Sequence, residues 1–117
     1  MLVDDSSTNN MLIKSYFEEE NYTVLTAEDG PTALDILNSE MPDLILLDIM
    51  MPGMDGYQVL TKIKSNPVTR RIPVIVVSAK DKKADITKAF ELGAIDYITK
   101  PVGLGNLFEI VERLIGH

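Results

Sequence analysis

Short apolar runs alternate along this chain with longer stretches in which apolar residues recur at helical spacing. The runs are Met1-Leu2-Val3, Tyr22-Thr23-Val24-Leu25, Leu44-Ile45-Leu46-Leu47, Ile72-Pro73-Val74-Ile75-Val76-Val77 and Ile95-Asp96-Tyr97-Ile98. Each has the length of a strand. The third and fourth contain no polar alternation, so neither face can be wet, and they read as central strands of a parallel sheet covered on both sides. Between the runs, Leu12, Ile13, Tyr16 and Phe17 mark a first helix, and Leu34 and Leu37 a second, entered through Gly30-Pro31. Proline suits a first helical turn, where its missing N–H has no partner to lose. Val59, Leu60 and Ile63 mark a third helix; Ile86, Ala89 and Phe90 mark a fourth that stops at Gly93; Leu104, Leu107, Phe108, Val111 and Leu114 form the stripe of a fifth.

Strands alternating with helices imply parallel, right-handed β-α-β crossovers. Five strands are too few to close an eight-stranded barrel. The pattern therefore predicts a (βα)₅ α/β fold with an open, doubly wound parallel sheet. In such sheets functional groups collect beyond the carboxyl ends of the strands.

Composition narrows the picture. The 117 residues fit one domain, 1–117. Cysteine is absent, which excludes disulfides and thiolate metal sites and suits a reducing cytoplasm. No apolar run reaches a membrane span, and no basic n-region precedes one, so a cytoplasmic protein without a membrane anchor is expected. A net charge of −7 repels phosphate backbones and argues against direct nucleic-acid binding. Arg70-Arg71 with Lys80, Lys82 and Lys83 form the one basic cluster, read as a solvated loop edge and helix start. His117, at the terminus, is expected to be inert, and no effector domain follows Ile115 in this chain.

The residues that follow the predicted strands are Asp4 and Asp5, then Asp48, then Ser78, then Lys100 with Pro101. Three carboxylates brought close together repel one another, and a divalent cation relieves the repulsion. Oxygen-only ligands favour a hard ion such as Mg²⁺, which keeps several waters and takes few protein ligands. Lys100 adds a compact positive charge, and the Ser78 hydroxyl can donate to an incoming oxygen. The set suits stabilisation of a phosphoryl group in transit, with one carboxylate as the nucleophile.

With these residues in place the chain resembles the response-regulator receiver domains, the CheY-like phosphoacceptors of two-component signalling, over essentially its whole length. The resemblance rests on Leu2-Val3-Asp4-Asp5, on Leu46-Leu47-Asp48-Ile49-Met50-Met51-Pro52-Gly53-Met54-Asp55-Gly56, on Val77-Ser78-Ala79 and on Lys100-Pro101. It implies a flavodoxin-like sheet of order 2-1-3-4-5. It also implies that Asp48 accepts a phosphoryl group from a histidine kinase or histidine phosphotransfer protein in a Mg²⁺-dependent reaction. Asp5 and Asp48 would ligate the ion directly, with the Met50 backbone carbonyl, and Asp4 would act through water. Ser78 and Lys100 would hold the phosphoryl oxygens. Tyr97 matches the switch aromatic, and Lys100–Pro101 the family's usual cis bond. The face formed by the fourth helix, fifth strand and fifth helix would meet a downstream effector, in a monomer or a weak phosphorylation-dependent dimer. Met50 and Lys80 occupy positions that tune phosphoryl lifetime in the family, and the bulk of Met50 predicts a long one. The family pattern is departed from at a short first strand and at Val102-Gly103-Leu104-Gly105-Asn106, where two glycines predict a mobile helix entry.

Plainer readings accompany each residue. Asp4 and Asp5 could cap the first helix together with Ser6 or Ser7, and Asp48 could simply pair with Lys100. Ser78 alone is an ordinary strand end, and Tyr97 could be a static edge-strand aromatic. Pro52-Gly53 and Asp55-Gly56 are turn chemistry, while Met50, Met51 and Met54 read as loop packing. Gly103-Leu104-Gly105 lacks the third glycine of a dinucleotide turn. Two other function classes compete with the switch, which is a signalling device and not an enzyme beyond its own phosphoryl chemistry. An aspartyl-phosphate hydrolase would need a second acid two residues after the nucleophile, where this chain has Met50. A degenerate receiver used only for protein binding would not require Asp5, Asp48, Ser78 and Lys100 together.

Overall fold

A computed structural model describes residues 1–116; His117, read above as inert, lies outside the described residues. Five strands and five helices alternate: β1 (Leu2–Val3), α1 (Ser7–Glu19), β2 (Thr26–Ala27), α2 (Gly30–Ile36), β3 (Ile45–Leu47), α3 (Gly56–Ser65), β4 (Val74–Ser78), α4 (Lys83–Glu91), β5 (Asp96–Thr99) and α5 (Leu104–Ile115). All strand pairs are parallel, in the order β2-β1-β3-β4-β5. The chain reverses its direction of winding between β1 and β3, which is where an open α/β sheet leaves a crevice.

Alternation along the strands divides the core in two. Val3, Ile45, Leu47, Val74 and Val76 face α2, α3 and α4 through Ala33, Leu60, Ile63 and Ala89. Leu2, Leu44, Leu46, Ile75 and Val77 face α1 and α5 through Phe17, Leu107 and Val111. Both faces of β3 and β4 are buried, as their unbroken apolar runs required.

Helix ends are set by local chemistry. The Ser6 hydroxyl accepts from Asn9 N and caps α1, and the Asp29 carboxylate accepts from Thr32 N at α2. Asp55 and Gln58 form a reciprocal capping box at α3. Gly93, at φ 110°, takes the left-handed conformation that closes α4.

Several expectations are corrected. The second strand pairs at Thr26–Ala27, not over Tyr22–Leu25. Tyr22 instead packs its ring 5.5 Å from Phe17 and 5.9 Å from Phe108, and donates to Glu112 at 2.6 Å, so the apolar run covers the α1/α5 side before the ladder begins. The fourth strand starts after Pro73, which has no N–H for a ladder, and runs on through Ser78. Leu12, Phe90 and Leu114 lie exposed despite their place in apolar stripes, while the polar Asn10 is buried on α1, as Phe17 is two turns further on. The basic cluster is no cluster: Arg70-Arg71 precede β4, and Lys80, Lys82 and Lys83 follow it, so the strand holds the two groups at opposite ends of the sheet.

Candidate functional site

Strand register assembles the site. Leu2 pairs with Leu46 and Val3 with Leu47, so the chain leaves β1 and β3 side by side, and Asp48 N donates to the Val3 carbonyl at 2.8 Å. Asp4 and Asp48 are thereby neighbours, although 44 positions separate them in sequence. Leu47 pairs with Val76 and Ser78 with Thr99, and Lys100 N donates to the Ser78 carbonyl at 2.8 Å, which carries Lys100 to the same rim. The Lys100–Pro101 peptide is cis, as in the resembling family.

At the rim the Lys100 ammonium donates to Asp4 Oδ2 at 2.6 Å and to Asp48 Oδ2 at 2.9 Å. Burial by itself lowers the pKa of this lysine, but the hydrogen bonds and charges of Asp4 and Asp48 outweigh it and raise the pKa. The remaining carboxylate oxygens are held by backbone amides: Ser6 N donates to Asp4 Oδ1 and Met50 N to Asp48 Oδ1, each at 2.9 Å. Asp4, Asp5 and Asp48 each bring a carboxylate oxygen within 4.8 Å of the others. Asp4 and Asp48 are buried, whereas Asp5 is exposed and its carboxylate has no hydrogen-bond or ion-pair partner among the described residues. An oxygen-only group of this kind, open on one side and with one carboxylate uncommitted, fits a hard divalent cation.

Ser78 is fully buried at the end of β4, and its hydroxyl accepts from Lys80 N at 3.3 Å. Tyr97 sits half-buried on the edge strand β5 and donates its hydroxyl to the Lys80 carbonyl at 2.6 Å. Burial raises the pKa of the Tyr97 phenol, a hydrogen bond with Ser78 opposes this, and the charges of Asp85 and Asp48 add to the rise. Ser78, the Lys80 peptide and Tyr97 thus form one connected set beside Asp48.

The sequence placed Asp4, Asp5, Asp48, Ser78 and Lys100 on one rim, and all five meet there. Capping of α1 falls to Ser6, not to the two aspartates. The plain pairing of Asp48 with Lys100 is present, but Lys100 holds Asp4 as well and at the shorter distance. Met50 contributes its amide to Asp48 and leaves its side chain exposed, while Met51 is packed. Two residues were read too narrowly. Gly56, taken as turn chemistry, lies where a Cβ would come within 2.4 Å of the Asp48 carbonyl oxygen, so only glycine lets α3 begin this close to the site. Asn10, not singled out at all, donates its side-chain amide to the Asp4 carbonyl at 2.9 Å. A polar residue at a core position of α1 was its only signal in the sequence.

This fold and rim define a class, the doubly wound phosphoacceptor switches of signal transduction. Residues 1–112 match the response regulator receiver domain family, and the chain belongs to it. It is 46% identical over 114 residues to the response regulator PleD of Caulobacter vibrioides, a match that takes in 97% of this chain and 25% of that protein. The chain therefore spans about a quarter of the length of that curated relative. Among solved structures it superposes on the receiver domain of a signal transduction histidine kinase from Syntrophus aciditrophicus with a TM-score of 0.89 at 37% identity, covering 97% of this chain and 86% of that one. It superposes on the receiver domain of the sensor histidine kinase PA1611 of Pseudomonas aeruginosa with a TM-score of 0.87 at 30% identity, covering 99% and 95% of the two chains; that structure holds a magnesium ion in its active-site cleft. The protein is a receiver domain of two-component signalling, a family whose members meet histidine kinases and effectors and act as phosphoacceptors. No described helix is long and apolar enough to cross a membrane.

Proposed function

We propose that Asp48 is the phosphoacceptor of this receiver. The observation that carries the assignment is the single ammonium of Lys100 bridging Asp4 and Asp48 beside the uncommitted carboxylate of Asp5. An Asp48 oxygen attacks the phosphorus of a phosphohistidine on a kinase or phosphotransfer protein. The phosphorus–nitrogen bond breaks as the oxygen–phosphorus bond forms, and the imidazole leaves as the neutral ring, its other nitrogen keeping the proton. Lys100 and the Ser78 hydroxyl bind the phosphoryl oxygens, and the Met50 amide holds the second Asp48 oxygen in place. Asp5 and Asp48 would hold Mg²⁺ together with the Met50 carbonyl, and Asp4 would act on it through water. When bound, the ion supplies the positive charge that lets an acidic pocket accept a further anion.

The output is a switch. A phosphoryl group can shift populations only by the difference between its interactions in the two states. The Ser78–Lys80–Tyr97 connection supports a route for that difference from Asp48 to the surface of α4, β5 and α5, where Phe90 and Ile95 are each 46% exposed. That face serves a downstream effector in a cytoplasmic protein that is monomeric or forms a weak phosphorylation-dependent dimer, with no direct contact to nucleic acid.

Mass spectrometry after exposure to acetyl phosphate with Mg²⁺ tests the assignment. One added phosphoryl group is expected on the wild type and none on Asp48→Ala. Tyr97→Ala should label normally and lose the downstream response. Labelling that persists in Asp48→Ala, or is lost equally in both variants, would overturn the scheme.

A further inference from the structure

Among the described residues Asn10 and Thr69 are buried polar residues that the phosphoryl chemistry leaves unused; the Thr69 hydroxyl is satisfied by the Ile63 carbonyl, and Asn10 is not fully satisfied. It is 4% exposed, on the face of α1 that packs toward the sheet. Its amide orientation is fixed, because Nδ2 lies 2.9 Å from the Asp4 carbonyl oxygen and only a donor can sit there. Oδ1 must then be the other atom, and it is buried with no hydrogen-bond partner among the described residues. A buried acceptor in that condition is costly unless something donates to it. Asn10 also lines a small cavity of about 20 Å³, and the other polar walls of that cavity are Asp4, Asp48 and Lys100. The rest of the lining is apolar, from β1, β3, β4 and the packed helices. A volume of this order accommodates roughly one water molecule, and a buried water requires two to four polar partners.

We propose that Asn10 and the rim residues hold one structural water beneath the acid pocket, and that Asn10 is a positioning residue for the Asp4–Lys100–Asp48 group. The bonding closes without a leftover. The water donates one hydrogen to Asn10 Oδ1 and one to a carboxylate of Asp4 or Asp48. Its oxygen accepts from the third N–H of Lys100, whose other two are taken by the aspartates. Asn10 then fixes the end of β1 twice, through the Asp4 carbonyl and through the water. The side chains of Asp4 and Asp5 emerge from that peptide unit, so α1 sets the separation of the acids. The positioning role rests on the assignment of this rim as the phosphoryl and Mg²⁺ site, while the water does not.

Two measurements on this chain test the proposal. A crystal structure with ordered solvent should show a water at about 2.8 Å from Asn10 Oδ1. Absence of a water there, or Oδ1 paired with a protein donor, would overturn the water site whatever the rim binds. Mg²⁺ alone, titrated against amide chemical shifts, reads the positioning. Asn10→Val removes both polar contacts, matches the shape of the Asn10→Thr control, and should weaken Mg²⁺ binding about 10-fold, as loss of an outer-shell partner does. Asn10→Thr, whose hydroxyl can donate to the Asp4 carbonyl and accept from the water, should recover most of the affinity at the same unfolding midpoint. Equal Mg²⁺ affinity in wild type and Asn10→Val would overturn the positioning role. Should Asn10→Val not fold, Asn10→Ala, which removes donor and acceptor without changing charge, must bind Mg²⁺ more weakly than Asn10→Thr or the proposal fails. A wild type that takes up no Mg²⁺ would overturn the assignment of the rim and the positioning role together, and leave the water to be judged by the crystal.

Discussion

At the amino ends of the strands a cavity of about 320 Å³ is walled by Phe17, Val24, Leu44 and Val111; at the carboxyl ends the cavity among Asp4, Asp48 and Lys100 measures about 20 Å³, and a separate groove of about 400 Å³ runs along Ala79, Pro101, Val102 and Leu104 on the outer side of Lys100. The cavity at the amino ends has the apolar lining ordinarily associated with a ligand pocket. Yet the converging carboxylates and the ammonium stand at the other end, over the small one. The reason is topological. Parallel strands all present their carboxyl ends on one side, so whatever follows them is gathered there, and the reversal of order between β1 and β3 opens a crevice at that point. The amino ends receive instead the returning loops, whose apolar residues close the bottom of the core. One end carries the chemistry and the other carries packing.

Substitutions that separate the two ends should have unequal consequences. The largest is at the rim: Asp48→Asn keeps the side-chain volume and should reduce Mg²⁺-dependent phosphoryl labelling to background while circular dichroism stays that of the folded chain. Lys100→Met should come next, slowing labelling roughly 100-fold, because a preorganised charge at the phosphoryl group is lost; a rate equal to wild type would make Lys100 a structural partner only. At the opposite end, Phe17→Ala should cost about 3–5 kcal/mol in denaturant unfolding. The surviving folded fraction should label at the wild-type rate, and a labelling defect that exceeds the loss of folded protein would show the two ends to be coupled.

Tyr57 offers a finer probe, since it joins the first turn of α3 to the first turn of α4 on the rim side without touching its acids. Its hydroxyl donates to the Asp85 carbonyl at 3.1 Å, and the Lys88 ammonium lies 4.3 Å from its ring centroid. Burial, then the charges of Asp85, Tyr97 and Asp55 and the hydrogen bond to Asp85, push the phenol up from 10.0 to about 12. The folded chain thus holds this proton more tightly than the unfolded one. The corresponding stability is fully present below about pH 10 and is lost as pH rises through about 12. Tyr57→Phe should cost about 1 kcal/mol at neutral pH and should flatten that alkaline decline in a series of unfolding curves. The smallest effect is expected at Met50, whose exposed thioether stands beside the phosphoacceptor. Acyl-phosphate decay a few-fold faster in Met50→Asn would agree with a shielding role, and identical decay would end it.

Hydrophobic patterning alone determined much of this protein. Unbroken apolar runs at Leu44–Leu47 and Ile72–Val77 could only be strands covered on both sides, and their alternation with amphipathic stretches required a parallel, doubly wound sheet. Once the strands were counted, the residues that follow them named the rim, because strand direction alone puts Asp4, Asp5, Asp48, Ser78 and Lys100 on one side. Local pattern was weaker where packing competes with it. Tyr22–Leu25 has strand composition, but Tyr22 packs its ring against Phe17 and Phe108, and the run meets β1 only at its end, where the Leu25 carbonyl accepts from Leu2 N and Thr26 opens the paired register. Helical spacing placed Leu12 in the core of α1, although the helix turns Asn10, Ile13 and Phe17 inward instead.

What the tertiary structure decided is which groups touch. Charge and spacing could not say that Lys100 would hold Asp4 more closely than Asp48, that the Asp48 backbone would leave room only for a glycine at position 56, or that an asparagine would lie buried behind the site. Each of these is a contact between segments far apart in sequence. It depends on sheet register and on the seating of a helix to within an ångström. A residue's own neighbours along the chain carry no information at that distance.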